Sequence, residues 1–120
     1  MIAFLRVTPG STAEVILTPA LAGGAERRIA QVAAPISSFE NFRFLAWSPD
    51  NQWLAVPDVR SAGGNFSLFL LSVNTGVKRR LTLPPVGYDD SDPAFSPDGT
   101  HLAFVRHAGA AGDIYVLQLT

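Results

Sequence analysis

The 120-residue chain has no cysteine, which excludes a disulfide scaffold, a thiolate metal site and a cysteine nucleophile, and leaves the redox compartment open. It also lacks a long apolar run. The longest, Phe66 to Val73, is broken by Ser67 and Ser72 and is far too short to cross a bilayer. Nor is there an excess of charge of either sign. Nine Lys and Arg stand against ten Asp and Glu, a net charge of -1, so the basic field of a nucleic-acid binder or a membrane-surface helix is missing. Neither nucleic acid nor membrane is expected as a partner. Met1 to Gly10 carries Arg6 alone and no charged leader before an apolar stretch, so it does not read as a signal peptide, and the chain as written is expected to be cytoplasmic. No Gly-x-Ser-x-Gly elbow, His-Glu-x-x-His pair, phosphate loop or dinucleotide fingerprint occurs.

What is present is punctuation: nine Pro and ten Gly spread between short apolar runs. Ala46 to Val56 (AWSPDNQWLAV) lies over Ala94 to Phe104 (AFSPDGTHLAF) at a spacing of 48 residues, with six of eleven positions identical. After each copy comes a Gly-rich connector, SAGGN or AGAAG, and then an alternating apolar run, SLFLLSV or DIYVLQL. The segment GVKRRLTL, from Gly76, is matched 52 residues upstream by GAERRIAQ, from Gly24. The N-terminal part is therefore a repeat as well.

No stretch keeps a helical period, while runs of β-branched, aromatic and Leu residues recur between turn signals, so the chain reads as all-β. Ser-Pro-Asp-Asn and Ser-Pro-Asp-Gly each predict a turn: Pro presets φ, Asp bonds its own backbone, and Asn or Gly closes it. Ten strands are expected. The central repeat holds four, Arg43 to Trp47, Trp53 to Pro57, Ser67 to Val73 and Lys78 to Leu83. Ile2 to Val7, Glu14 to Pro19 and Glu26 to Val32 precede them. Asp92 to Phe95, His101 to Arg106 and Asp113 to Leu119 follow. The expected organisation is an incomplete blade over 1–34, a complete one over 40–84 and a blade without its outer strand over 88–120.

Units of four antiparallel strands with an SPDG turn after the first strand resemble the blades of TolB-type β-propellers, a branch of the WD-repeat-like propellers. The residues that carry the resemblance are WSPDNQWLA, FSPDGTHLAF, SLFLLSVNTGVKRRLT, DIYVLQLT, GGAERRIA and DDSDPAF. Departures are Asn51 in place of the turn Gly, Pro57 interrupting a second strand, and a first blade without an SPD turn. The resemblance implies a propeller fragment of about two and a half to three blades, completed by homo-oligomerisation into a ring, a dimer being preferred to a trimer. It further implies a non-catalytic scaffold for protein interaction or sensing, whose parent family is often periplasmic. Another protein is a second possible partner.

Edge charge that blocks stray strand addition is the expected role of Arg27, Arg28, Lys78, Arg79 and Arg80. Trp47, Phe95, Phe44, Phe69 and Tyr115 are expected as blade core. The one locally suggestive segment is Asp89, Asp90 and Asp92 before Pro93. Read from turn preference alone it is a solvated turn. Read chemically, Asp90, Asp92 and His107 would lie at one rim of a central channel, where copies from several chains hold a divalent cation. The alternative function is then a metal-dependent hydrolase, phosphotriesterase- or lactonase-like, with Asp90 and Asp92 as ligands and His107 moving the proton. No cofactor is otherwise expected.

Overall fold

In the computed structural model, residues 1–7, 12–21, 24–33, 45–61 and 64–119 are described. They form ten β-strands and no helix, so among the described residues no helix is long and apolar enough to cross a membrane. The chain divides into two compact units, Met1–Glu40 and Asn41–Thr120.

The first unit is a three-stranded antiparallel sheet of β1 (Ile2–Val7), β2 (Thr12–Thr18) and β3 (Arg27–Ala33), in that order. The central strand β2 is the apolar one, with Ala13, Val15, Ile16 and Leu17 all buried. The β2–β3 ladder slips at Val15/Ile16. Arg6 of β1 pairs with Glu26, the residue before β3, at 2.8 Å, and Arg28 of β3 pairs with Glu14 of β2 at 2.9 Å. Their exposed setting makes each worth well under about 1 kcal/mol.

The second unit holds two antiparallel sheets. One has the order β4 (Ala46–Trp47), β5 (Trp53–Asp58), β6 (Ser67–Ser72), β7 (Lys78–Arg80). The other has the order β8 (Asp89–Phe95), β9 (His101–Ala108), β10 (Ala111–Gln118). Their facing sides meet in a core of Ala55, Leu68, Leu102 and Phe104, against which Ala46, Leu81, Phe95, Leu117 and Leu119 pack. A backbone bond from Asp90 N to the Phe66 carbonyl, 2.9 Å, ties the start of β8 to the entry of β6.

Each expected strand occurs, with three corrections. Pro57 does not interrupt β5, which runs on to Asp58 with Pro57 in register with Leu68. The AGAAG segment is not a loose connector. Strand β9 extends through His107 to Ala108, and only Gly109 and Ala110 separate it from β10. Gly109 takes φ 59°, as a two-residue hairpin of primed type requires. Lastly, Asp89 to Asp92 is no solvated turn, because β8 begins at Asp89 and buries Asp90 and Ser91. The expected start of the inner strand at Arg43, and Phe44 with it, lie outside the described residues.

Candidate functional site

The two SPD turns repeat atom for atom. In the first, Ser48 Oγ donates to Asp50 Oδ1 at 2.5 Å, Asp50 Oδ1 accepts Gln52 N at 3.1 Å, and Ser48 Oγ accepts Trp53 N at 3.0 Å. In the second, Ser96 Oγ donates to Asp98 Oδ1 at 2.7 Å, Asp98 Oδ1 accepts Thr100 N at 3.0 Å, and Ser96 Oγ accepts His101 N at 3.0 Å. Asn51 and Gly99 follow at φ 60° and 74°, the left-handed region that Gly adopts freely and Asn tolerates. These bonds stabilise the ionised carboxyl groups. The Ser96 hydroxyl and then the Thr100 N–H and hydroxyl hold Asp98 far below the usual carboxylate range, and Ser48 followed by Gln52 lowers Asp50.

A methyl group on Gly99 would stand 3.6 Å from Pro49 Cδ, so the turns lie side by side. Between them opens a cleft of ≈ 450 Å³, walled by Trp53, Leu70, Phe95, Leu119 and Arg79 as well as both turns. Asp98 is thus at the opposite end of β8 and β9 from the acidic corner, as the strand directions dictate.

The acidic corner is a structural junction. Asp90 is fully buried, and Arg106 grips it with two bonds, Nε to Oδ1 at 2.8 Å and Nη2 to Oδ2 at 3.0 Å. That guanidinium also lies 4.9 Å from the Tyr115 ring centre and 5.6 Å from that of Phe104, rings which stack at 5.8 Å. The hydrogen bond from Asp90 is the first cause that raises the Arg106 pKa, so the guanidinium keeps its charge. Asp89 accepts Phe66 N at 2.8 Å and stands opposite His107 in the ladder. Since Asp90 stands opposite Arg106, the alternation of the pleat sends the Asp90 and His107 side chains to opposite faces of the sheet. Asp92, at φ 53°, occupies a bulge between Ser91 and Ala94 and accepts Ser91 Oγ at 2.8 Å.

The three residues expected as cation ligands are therefore close in the ladder but do not converge within one chain. Among the described residues, no group of three His, Asp or Glu side chains is placed to hold a metal ion. Arg106 is the residue that sequence reasoning missed. The signal for it was available: a hairpin that pairs DDSD with VRHA sets a basic residue opposite one of the two acids.

No family model matches the chain. Its fold is shared by solved structures, two of which show the degree of similarity. TolB from Acinetobacter baumannii superposes with a TM-score of 0.69 at 20% identity over 98% of this chain and 26% of that one. A putative TolB from Agrobacterium tumefaciens gives a TM-score of 0.52 at 19% identity, over 91% of this chain and 39% of that one. The chain thus spans well under half the length of either structure. At this level of identity the likeness speaks for architecture alone, and the three sheets are blades of the TolB-type β-propeller fold.

Proposed function

We propose that the chain is a non-catalytic propeller scaffold for protein interaction or sensing, which associates with another copy of itself, as a dimer before a trimer, or with another protein. One observation carries this reading. The ladders pair Val56 with Phe69 and Phe104 with Tyr115, which makes Ile114 and Val116 the counterparts of Leu68 and Leu70. Leu68 and Leu70 are 0% and 6% exposed beneath the following sheet, whereas Ile114 and Val116 are 77% and 66% exposed. A face that one sheet covers with its neighbour is left open on the last. Covering each such side chain is worth about 1.5–3 kcal/mol, which supplies a drive for association.

The metal-dependent hydrolase reading has no comparable support. A cation at Asp90 would first have to displace a bidentate arginine from a buried carboxylate. Native mass spectrometry tests the scaffold reading. A discrete dimer or trimer at micromolar concentration supports self-assembly, and a monomer at all concentrations overturns it.

A further inference from the structure

The cleft between the two SPD turns carries charge of opposite sign on its two sides. Asp50 and Asp98 border it at the turns and Arg79 borders it on β7, with Trp53, Leu70 and Phe95 as its apolar walls. All six belong to two sheets adjacent in sequence, within residues 48–100. Strand order explains the layout. Trp53 begins β5, Leu70 of β6 stands opposite Ala55, and Arg79 of β7 stands opposite Leu70. The alternation of the pleat therefore sets Trp53, Leu70 and Arg79 on the face that packs on the other sheet. Since β6 lies between β5 and β7, the acid and basic sides are held apart by two strand spacings, about 10 Å. Neither side neutralises the other. Arg79 is exposed and makes no hydrogen bond, ion pair or ring contact among the described residues. The turn bonds to Asp50 and Asp98 all end on Oδ1, which leaves Oδ2 of each for another donor.

We infer that the cleft binds a short extended peptide with free ends, about three residues long, its ammonium at Asp50 and Asp98, its carboxylate at Arg79 and an apolar side chain against Trp53, Leu70 and Phe95. Charge complementarity selects this occupant. A simple anion entering the cleft meets two carboxylates, and a simple cation meets an unpaired guanidinium, whereas a ligand with one charge at each end satisfies all three groups. Length agrees with charge, because three extended residues span about 10 Å, the separation of the two sides. A volume of ≈ 450 Å³ lies at the small end of ligand sites, which suits a tripeptide. The Ser96 and Ser48 bonds keep Asp98 and Asp50 ionised, so the acid side holds its charge throughout the neutral range. This site goes beyond the association reading above and stands whether or not the chain self-associates.

The test is titration of the isotope-labelled full chain with the tripeptide Ala-Leu-Ala, followed by amide NMR. The amides of residues 48–53 and 96–100 and of Arg79 are expected to shift saturably, with a dissociation constant on the order of 1 mM. Acetylating the peptide's amino end, or amidating its carboxyl end, should each weaken binding about two- to fivefold, the worth of one exposed charge pair. Arg79→Gln should weaken the free peptide by a like factor and leave the amidated one unaffected, a pairing that a purely structural arginine does not produce. Because Arg79 is exposed and unpaired, the variant keeps its fold. Three results overturn the inference: no saturable shift at about ten times the expected constant, equal affinity for the free and both blocked peptides, or an Arg79→Gln chain that binds the free peptide as the parent does. Its failure is separable from that of the scaffold reading. An oligomer that ignores the tripeptide sinks only this proposal, and a monomer that binds it sinks only self-assembly.

Discussion

The Asp90 carboxylate and the Arg106 guanidinium face each other across the β8–β9 ladder and share two hydrogen bonds, at 2.8 and 3.0 Å. Asp90 has no solvent-exposed surface, and the arginine side chain retains 17% of its own. Such a pair adds little net stability over an apolar one of similar shape, but losing one member strands a buried charge.

Arg106→Met should therefore cost about 3 kcal/mol, while the double variant Asp90→Leu with Arg106→Met should recover most of that loss. Urea unfolding of the four proteins measures the coupling. Equal stability of Arg106→Met and the parent would show that the pair does not hold the β8–β9 junction.

The turns offer a smaller, local effect. Ser96→Ala removes a hydroxyl that both donates to Asp98 and accepts from His101 N, and should cost about 1 kcal/mol. Asn51→Ala, at φ 60°, should cost about 1–2 kcal/mol, whereas Asn51→Gly should be neutral or better. Thermal midpoints rank them, and an Asn51→Ala as stable as Asn51→Gly would contradict the left-handed assignment.

Acid should loosen the turns. The folded-state pKa of Asp98 lies below its ordinary 3.8, so its contribution is fully present above that value and is lost as pH falls toward the depressed one. Stability should decline below about pH 4, and Asp98→Asn should flatten that decline. A pH profile indifferent to the substitution would place the acid sensitivity elsewhere.

Substitutions on each should distinguish the covered from the open face. Leu68→Ala, fully buried, should cost about 2–5 kcal/mol at any protein concentration. Ile114→Lys with Val116→Lys, both exposed, should leave monomer stability within about 0.5 kcal/mol and abolish any oligomer seen by light scattering. An oligomer that persists in the double lysine variant would put the contact on another surface.

Strand count and order were legible because a period of two residues and the SPD turns are local signals. The Pro57 error came from treating proline as a break, although proline is tolerated where its missing donor is not needed. The AGAAG error came from counting glycines. The strand alternation on either side continued through them to a two-residue turn. The acidic corner was found in sequence but misread, since the spacing of Asp90 and Asp92 says nothing of the strand that returns beside them. Arg106 reaches Asp90 through hairpin register, 16 residues away. The open face was legible only by comparing two repeats, one whose face the next sheet buries and one whose face is bare.

In the second unit, each SPD turn is held from within its own repeat: the side-chain bonds of the Ser48–Trp53 and Ser96–His101 turns close within six residues, and the one backbone bond that ties each turn to a later strand, Val73 N to the Gln52 carbonyl or Leu119 N to the Thr100 carbonyl, stays inside the same repeat. A corner of that kind is portable. Genes that duplicate or delete one 48-residue cassette keep every joint intact, so the number of sheets is spelled by how often the cassette is copied rather than by any residue inside it. Grafting one further cassette after Leu119 gives a direct route to a longer chain assembled on the same local rules.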